Sequence, residues 1–260
     1  MSSILTAAPT PGGPAPLSTV RIILLHLLPE TVALLGYLVL APTFARSNLP
    51  TFWALAVTTL CLVVPLQFGL LLWLGWREHG RLSLGRIVLN RDRTPFVQYF
   101  WLLPLLLAWI LFVTLGIGAP LYKLIPGLFR AWLPNLVPTG ALLPLPEQLA
   151  TGSRTMLLGV TFTLMAIRLM VGSLVDEYYY RGYLLPRMTN LGRWAPLVSI
   201  LLSSVSVAGT PWQTLLPSVG LLPAVYAVWW KRDLRITVGT RWMYGALDIL
   251  RLLLNYRQVI

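Results

Sequence analysis

Long apolar runs alternate with short charged loops along the whole chain. Most of these runs approach or exceed the ~20 residues that a helix needs to cross a bilayer. The pattern predicts about seven transmembrane helices, with six to eight compatible with it. Six of them cover about residues 21–41, 51–76, 96–118, 194–210, 215–230 and 236–254, and one begins near residue 155. The expected fold class is therefore an all-α polytopic membrane protein.

Composition supports this class and excludes a soluble globular domain. The chain is 57% hydrophobic and 11% charged, with a mean hydropathy of +0.73, whereas soluble domains carry about 25% charged residues. A net charge of +12 would indicate nucleic acid in a soluble chain, but here most positive residues fall between apolar runs. That distribution is typical of cytoplasmic loops beside anionic lipid. We expect membrane lipids as partners, no nucleic acid, and an N-terminus inside the cytoplasmic (plasma) membrane.

Four segments follow from the same pattern. Residues 1–19 are rich in small residues and proline, so they predict a disordered cytoplasmic tail without a cleaved signal peptide. Residues 20–118 hold the N-terminal transmembrane helices, and 155–254 form a second transmembrane domain. Six prolines interrupt 119–154, which predicts short helices in the outer interface or a re-entrant segment.

Ionisable groups inside the apolar runs are the first functional candidates. Asp176, Glu177 and Arg181 follow a long apolar stretch. Charges at membrane depth cost about 2.5–3.5 kcal/mol or more and usually have a partner. Helical spacing brings Glu177 to Arg181, and Asp176 to Tyr180, on one face. Two interpretations remain open: a functional site, or an ion pair that marks the lipid boundary.

Three further polar residues lie within predicted spans. His26 and Glu30 lie four residues apart in the first span. They either form a functional pair that faces the interior of the bundle, or make structural hydrogen bonds to each other or to a neighbouring helix. We favour the second interpretation. Arg168 lies in the fourth span and requires a partner or a water-filled cavity. Its candidate partners are the carboxylates Asp176, Glu177 and Asp248.

The stretch from Asp176 to Arg187 resembles the first signature of the CPBP intramembrane proteases, the CAAX prenyl endopeptidase and bacteriocin-processing (Abi) family. That signature reads Glu-Glu-x-x-x-Arg and is commonly followed by Gly-Tyr-Leu-Leu, as Gly182-Tyr183-Leu184-Leu185 is here. The resemblance covers roughly residues 155–254 and implies a CAAX-protease-like helical bundle.

Two further family signatures supply histidines, and this chain departs from both. The Phe-x-x-x-His signature aligns with Val205 and Gly209, and the His-x-x-x-Asn signature aligns with Tyr244 and Asp248. The resemblance thus implies six site positions. They are Asp176, Glu177 and Arg181 in the first signature, Gly209 in the second, and Tyr244 and Asp248 in the third.

The missing histidines change the expected chemistry. In active members the resemblance implies a glutamate that works with histidines to activate water, yet no histidine follows His79 here. Imidazole is suited to that task because it titrates near neutral pH. Asp176 is also one methylene shorter than the usual glutamate. We therefore expect degenerate or lost peptidase activity and a retained intramembrane cavity that binds a peptide, prenylated or protein partner.

Two other functions stay open. One is an active endopeptidase that cleaves membrane-associated or prenylated peptides with a carboxylate cluster of Asp176, Glu177 and Asp248. No cofactor is expected, and a divalent metal only if that cluster forms. The other is a structural membrane subunit or small transporter, which a Glu177 distant from Tyr244 and Asp248 would favour. Five aromatic side chains either line a groove or form an interfacial belt: Tyr178, Tyr179, Tyr180, Tyr183 and Tyr244.

Overall fold

The computed structural model describes residues 15–82, 84–124, 154–204 and 211–257, and this part of the chain is all-helical, with no strand. Seven longer helices occur within these ranges. They are α1 (Thr19–Arg46), α2 (Thr51–His79), α3 (Phe96–Leu121), α4 (Thr155–Arg187), α5 (Ala195–Ser204), α6 (Pro211–Lys231) and α7 (Arg235–Arg257). Most of the predicted tail, most of the proline-rich segment and Gly209 lie outside the described residues.

Helices α1 to α4 are long and apolar enough to cross a membrane. Within the most apolar window of each, only 17% to 33% of the residues are buried in the protein. The remaining apolar surface faces outward, which in water would be strongly unfavourable and in lipid is not. The described part of the chain is thus all-helical and has the character of an integral membrane protein, and the count of seven spans stays a prediction.

π-helical turns interrupt three of these four helices. One lies in α2 (Thr59–Val63), one in α3 (Phe112–Gly118) and two in α4 (Arg168–Gly172 and Glu177–Leu184). Helical structure continues beyond the end of α3, since Ala119–Leu124 is helical, and so passes the predicted boundary at residue 119. Isolated π-helical turns occur often at functional sites. The motif residues 177–184 form such a turn, so α4 continues through the motif rather than ending at it.

One end of the bundle gathers the charged loops. The Leu89 amide donates to the Gly182 carbonyl at 2.8 Å, and the Leu234 amide donates to the Asn90 carbonyl at 2.9 Å. These contacts join the loop after α2 to the end of α4 and the start of α7. We name this region the basic end, after the residues Arg77, Arg81, Arg91, Arg93, Arg187, Arg193, Lys231, Arg232 and Arg235. Collecting the positive loops on one side is what the positive-inside rule requires.

Close approach at the basic end depends on a glycine. A Cβ atom at Gly182 would lie 2.6 Å from Cγ1 of Val88 and 3.2 Å from Cδ1 of Leu234. No side chain fits in that space without a shift of its neighbours. Gly182 therefore lets both loops pack directly on the backbone of α4.

The tyrosines of the motif lie in the protein core. Tyr179, Tyr180 and Tyr183 are at most 2% exposed, so these three do not form an interfacial belt. Burial is tolerated because each hydroxyl donates to a buried or half-buried acceptor. The acceptors are the Leu25 carbonyl, Glu30 Oε1 and Glu78 Oε1, each at 2.7 Å. Tyr178 and Tyr244 are half-buried.

Candidate functional site

The two motif carboxylates share one cation from α7. Arg241 Nη1 lies 3.1 Å from Asp176 Oδ2, and Arg241 Nε lies 3.0 Å from Glu177 Oε1. Glu177 is 1% exposed, whereas Asp176 is 31% exposed. Arg241 holds both acids across a helix interface.

A second cation, Arg181, reaches Glu177 from one turn further along α4. Arg181 Nε lies 3.7 Å from Glu177 Oε2, and both side chains are 1% exposed. At this distance the contact is an ion pair without a hydrogen bond. The Arg181 guanidinium also lies over the Tyr180 ring, 5.6 Å from its centroid. The predicted Glu177–Arg181 pair is confirmed, but it is buried in the bundle and does not mark a lipid boundary.

An amide from α2 completes the contacts of Asp176. Gln67 is fully buried and its Nε2 donates to Asp176 Oδ1 at 2.9 Å. Eleven residues further along both helices, Arg187 Nη2 contacts Glu78 Oε2 at 2.7 Å. The equal spacing means that α2 and α4 run parallel. Sequence analysis overlooked Gln67, although an isolated amide in the middle of an apolar run was the signal that could have indicated it.

The polar residues of α1 are held by neighbouring helices. Tyr180 Oη donates to Glu30 Oε1 at 2.7 Å. The His26 ring is fully buried, with Nδ1 2.9 Å from the Ile22 carbonyl and Nε2 3.2 Å from Ser199 Oγ. The favoured interpretation of this pair, satisfaction by a neighbouring helix, is confirmed. Because both imidazole nitrogens are engaged, His26 is not placed to activate a water at the motif.

Arg168 remains exposed although it lies beside the other charges. It is within electrostatic range of Asp176, Arg241 and Glu30. Its stem passes over Gly172, where a Cβ atom would lie 3.7 Å from Arg168 Cγ. Arg168, Gly172 and Asp176 thus form a stripe along one face of α4, at intervals of four residues.

We use the term ionic cluster for six side chains: Glu30, Arg168, Asp176, Glu177, Arg181 and Arg241. Three are acidic and three are basic, so their formal charges cancel. Glu177 and Arg181 are buried, but Arg168 is exposed and Arg241 is 22% exposed. The cluster therefore opens on the surface of the bundle on the side of Arg168.

Helix α7 runs antiparallel to α4, and this direction decides which of its residues reach the motif. Arg241 meets Asp176, whereas Gly245 packs on Leu169, seven residues earlier in α4. A Cβ atom at Gly245 would lie 2.2 Å from Leu169 Cδ1. The close contact sets the register of the two helices and points later residues of α7 away from the motif.

Tyr244 and Asp248 consequently lie apart from the motif carboxylates. Tyr244 interacts with Asp248 and with Thr114 of α3. Within the described residues, no hydrogen bond or ion pair joins either side chain to Asp176 or Glu177. The same part of the chain holds no group of three histidine, cysteine or acidic side chains that could hold a metal ion. The predicted cluster of Asp176, Glu177 and Asp248 is not found among the described residues.

A second polar centre at the basic end was not predicted. Asp233 is 1% exposed and accepts hydrogen bonds from Arg235 Nε and Nη2 at 2.9 and 2.8 Å, from the Thr94 amide at 2.8 Å, and from the Tyr99 hydroxyl. Burial raises the pKa of Asp233, but the hydrogen bonds from Arg235, Tyr99 and Thr94 outweigh it and hold that pKa well below its usual range. The sequence signal that could have indicated this centre is that Asp233 is an isolated acidic residue in a basic loop.

Comparison with known proteins adds no relative. The chain matches no family model, and neither the curated proteins nor the solved structures gave a match. The CPBP resemblance consequently rests on the motif residues of α4 alone.

Proposed function

We propose that this chain is a non-catalytic, CPBP-like integral membrane protein that binds a peptide or protein segment at its ionic cluster. In this proposal it has about seven spans, lies in the cytoplasmic membrane with its N-terminus inside, and has lost peptidase activity. The observation that carries the proposal is the engagement of both motif carboxylates by Arg241.

The hydrogen-bond geometry argues against a water-activating role for this pair. A general base must lie within hydrogen-bond reach of the proton it removes. Asp176 accepts from Gln67 and Arg241, and Glu177 faces Arg241 and Arg181. Three of the four carboxylate oxygens therefore contact a donor of the protein at 2.9–3.1 Å, and the fourth, Glu177 Oε2, is buried 3.7 Å from Arg181 Nε without a hydrogen bond.

Arg168 supplies the binding chemistry. An arginine at membrane depth requires a partner, and the two acids within electrostatic range of Arg168 already contact other groups: Asp176 contacts Arg241, and Glu30 accepts from Tyr180. Its exposed guanidinium provides planar donors for a carboxylate. We infer that the bound segment carries an acidic residue that faces Arg168.

A cleavage assay separates this proposal from an active peptidase. Wild-type protein and an Asp176→Asn/Glu177→Gln variant are reconstituted in proteoliposomes and offered fluorogenic peptides, some of them prenylated, with and without divalent metal. We expect no cleavage by either protein. Cleavage by the wild type that is lost in the variant would reject the non-catalytic proposal and make the carboxylates catalytic.

A binding assay tests the role of Arg168. Energy transfer is measured between labelled protein in liposomes and transmembrane peptides that differ only in a central glutamate or glutamine. We expect the wild type to prefer the glutamate peptide and Arg168→Gln to lose that preference. Arg251→Gln is the matched control, because Arg251 is an exposed arginine on α7. Equal binding of both peptides by the wild type would refute the proposed acidic partner.

One observation favours a second candidate, a structural subunit or small transporter. Tyr244 contacts Thr114 of α3, and Asp248 contacts Tyr244 and Arg251 of its own helix, which is the arrangement expected if the family resemblance is accidental. In that case the ionic cluster stabilises the helix bundle and binds nothing. The binding assay distinguishes the two, since a purely structural cluster gives no peptide preference in wild-type protein.

A further inference from the structure

A groove at the basic end, separate from the ionic cluster, has polar and apolar walls. It encloses about 470 Å³ between α4, α7 and the loop after α2, within the range of about 300–1,000 Å³ that is typical of small-molecule sites. Asn90, Arg91 and Arg235 belong to its polar wall, and Leu174, Val238 and Trp242 belong to its apolar wall.

The polar wall carries a net positive charge. Arg91 is exposed and Arg235 is 51% exposed. The one carboxylate in the wall, Asp233, is 1% exposed and already accepts from several donors. Arg91 has only a 3.4 Å contact from Nη2 to the Leu84 carbonyl. The accessible charge at this mouth is thus guanidinium, which binds phosphate in a planar, bidentate manner.

The apolar wall extends from that mouth into the bundle. Trp242 follows Arg235 by seven residues, about 10 Å along a helix. Leu174 and Val238 face the same space, and Tyr178 of the motif helix contributes its ring. A ligand that matches both the positively charged mouth and the apolar wall has a negatively charged head and a hydrocarbon chain.

We propose that this groove binds an anionic phospholipid of the membrane leaflet at the basic end. The phosphate contacts Arg91 and Arg235, and an acyl chain lies against Leu174, Val238 and Trp242. Basic pockets between transmembrane helices are known to bind anionic head groups. The site does not depend on the function proposed for the ionic cluster, because it uses none of that cluster's side chains.

The test compares lipids and matched variants of the full chain. Detergent-purified protein is titrated with phosphatidylglycerol or phosphatidylcholine, and bound lipid is counted by native mass spectrometry. We expect the wild type to prefer phosphatidylglycerol and Arg91→Ala to weaken its binding about fivefold. Arg93→Ala removes an exposed charge from the same loop without touching the groove, and we expect less than a twofold change. Equal effects of the two variants would overturn the site.

Two further experiments test whether the apolar wall contacts the lipid and whether the bound phosphate belongs to a lipid or to a free anion. Leu174→Trp fills the groove without changing charge, and we expect it to reduce phosphatidylglycerol binding as strongly as Arg91→Ala does. Inorganic phosphate should not displace the lipid, and displacement would identify a free-anion site instead. A phosphatidylglycerol analogue with a photoreactive acyl chain should label peptides that contain Leu174 or Trp242. Labelling confined to other helices, or stronger binding of an acidic peptide than of the lipid, would contradict the proposal.

Discussion

Removing Arg241 tests whether the ionic cluster stabilises the bundle. Two unit charges about 4 Å apart attract by about 4 kcal/mol at an effective dielectric constant of ~20, and Arg241 faces two carboxylates. Desolvation of Arg241 and its repulsion with Arg181 oppose this attraction. Removing one partner of a buried ion pair usually costs about 3–5 kcal/mol, because the other charge remains buried. We expect Arg241→Met to lower the free energy of unfolding by about that amount.

Unfolding in mixed micelles, followed by circular dichroism as the denaturing detergent increases, measures this free energy. Arg251→Met is the matched control: Arg251 and its neighbour Asp248 are both exposed, and exposed pairs contribute at most about 1 kcal/mol. Adding Asp176→Asn to Arg241→Met restores the charge balance and should recover part of the loss. If Arg241→Met and Arg251→Met destabilise equally, or the double variant recovers nothing, the reasoning is refuted.

Three further outcomes follow from the packing and polar contacts. Gly182→Ala places a methyl group 2.6 Å from Val88 Cγ1, so it should cost about 1–3 kcal/mol; a Val88→Ala background should relieve that cost in thermal unfolding. Asp233 has a lowered pKa, so its contribution to stability is present above the unfolded pKa of about 3.9 and falls as pH drops below it. Unfolding midpoints between pH 6 and 3 should therefore depend on pH more steeply in wild type than in Asp233→Asn, and equal slopes would contradict this. Tyr180→Phe removes the hydrogen bond to Glu30 and should cost about 1.5–3 kcal/mol; in a double-mutant cycle with Glu30→Gln the two losses should not add.

Some helix starts were predictable because they depend on local sequence, although α6 begins at Pro211, four residues before the predicted start near residue 215. Helices α2 and α3 begin at Thr51 and Phe96, as predicted, each directly after a proline that ends the preceding loop. The ends were less predictable. Helix α2 extends to His79 and α4 to Arg187, and the buried Arg187 side chain pairs with Glu78 between the two helix ends. That contact joins positions 109 residues apart, which no local pattern records.

The presence of ion pairs in the ionic cluster was predictable from the sequence, but the residue of α7 that takes part in them was not. Intramembrane acids and arginines indicated ion pairs, and spacing alone identified Glu177 with Arg181. The residue of α7 that reaches the motif depends on how α4 and α7 slide against each other, and the Gly245–Leu169 contact sets that position. Alignment with the family signature favoured Tyr244, one turn further along α7 than the observed Arg241.

The two polar contacts between α2 and α4 restrict how the molecule can move. Gln67–Asp176 and Glu78–Arg187 lie about 16 Å apart along α2, which runs parallel to α4. A slip of one residue would rotate every side chain by about 100° and break both contacts at once. Helices α2 and α4 must then move as one rigid body. Any opening of the ionic cluster then requires α1 or α7 to move away from α2 and α4. Movement of α1 breaks the Tyr180–Glu30 contact, and movement of α7 breaks the Arg241–Asp176 contact.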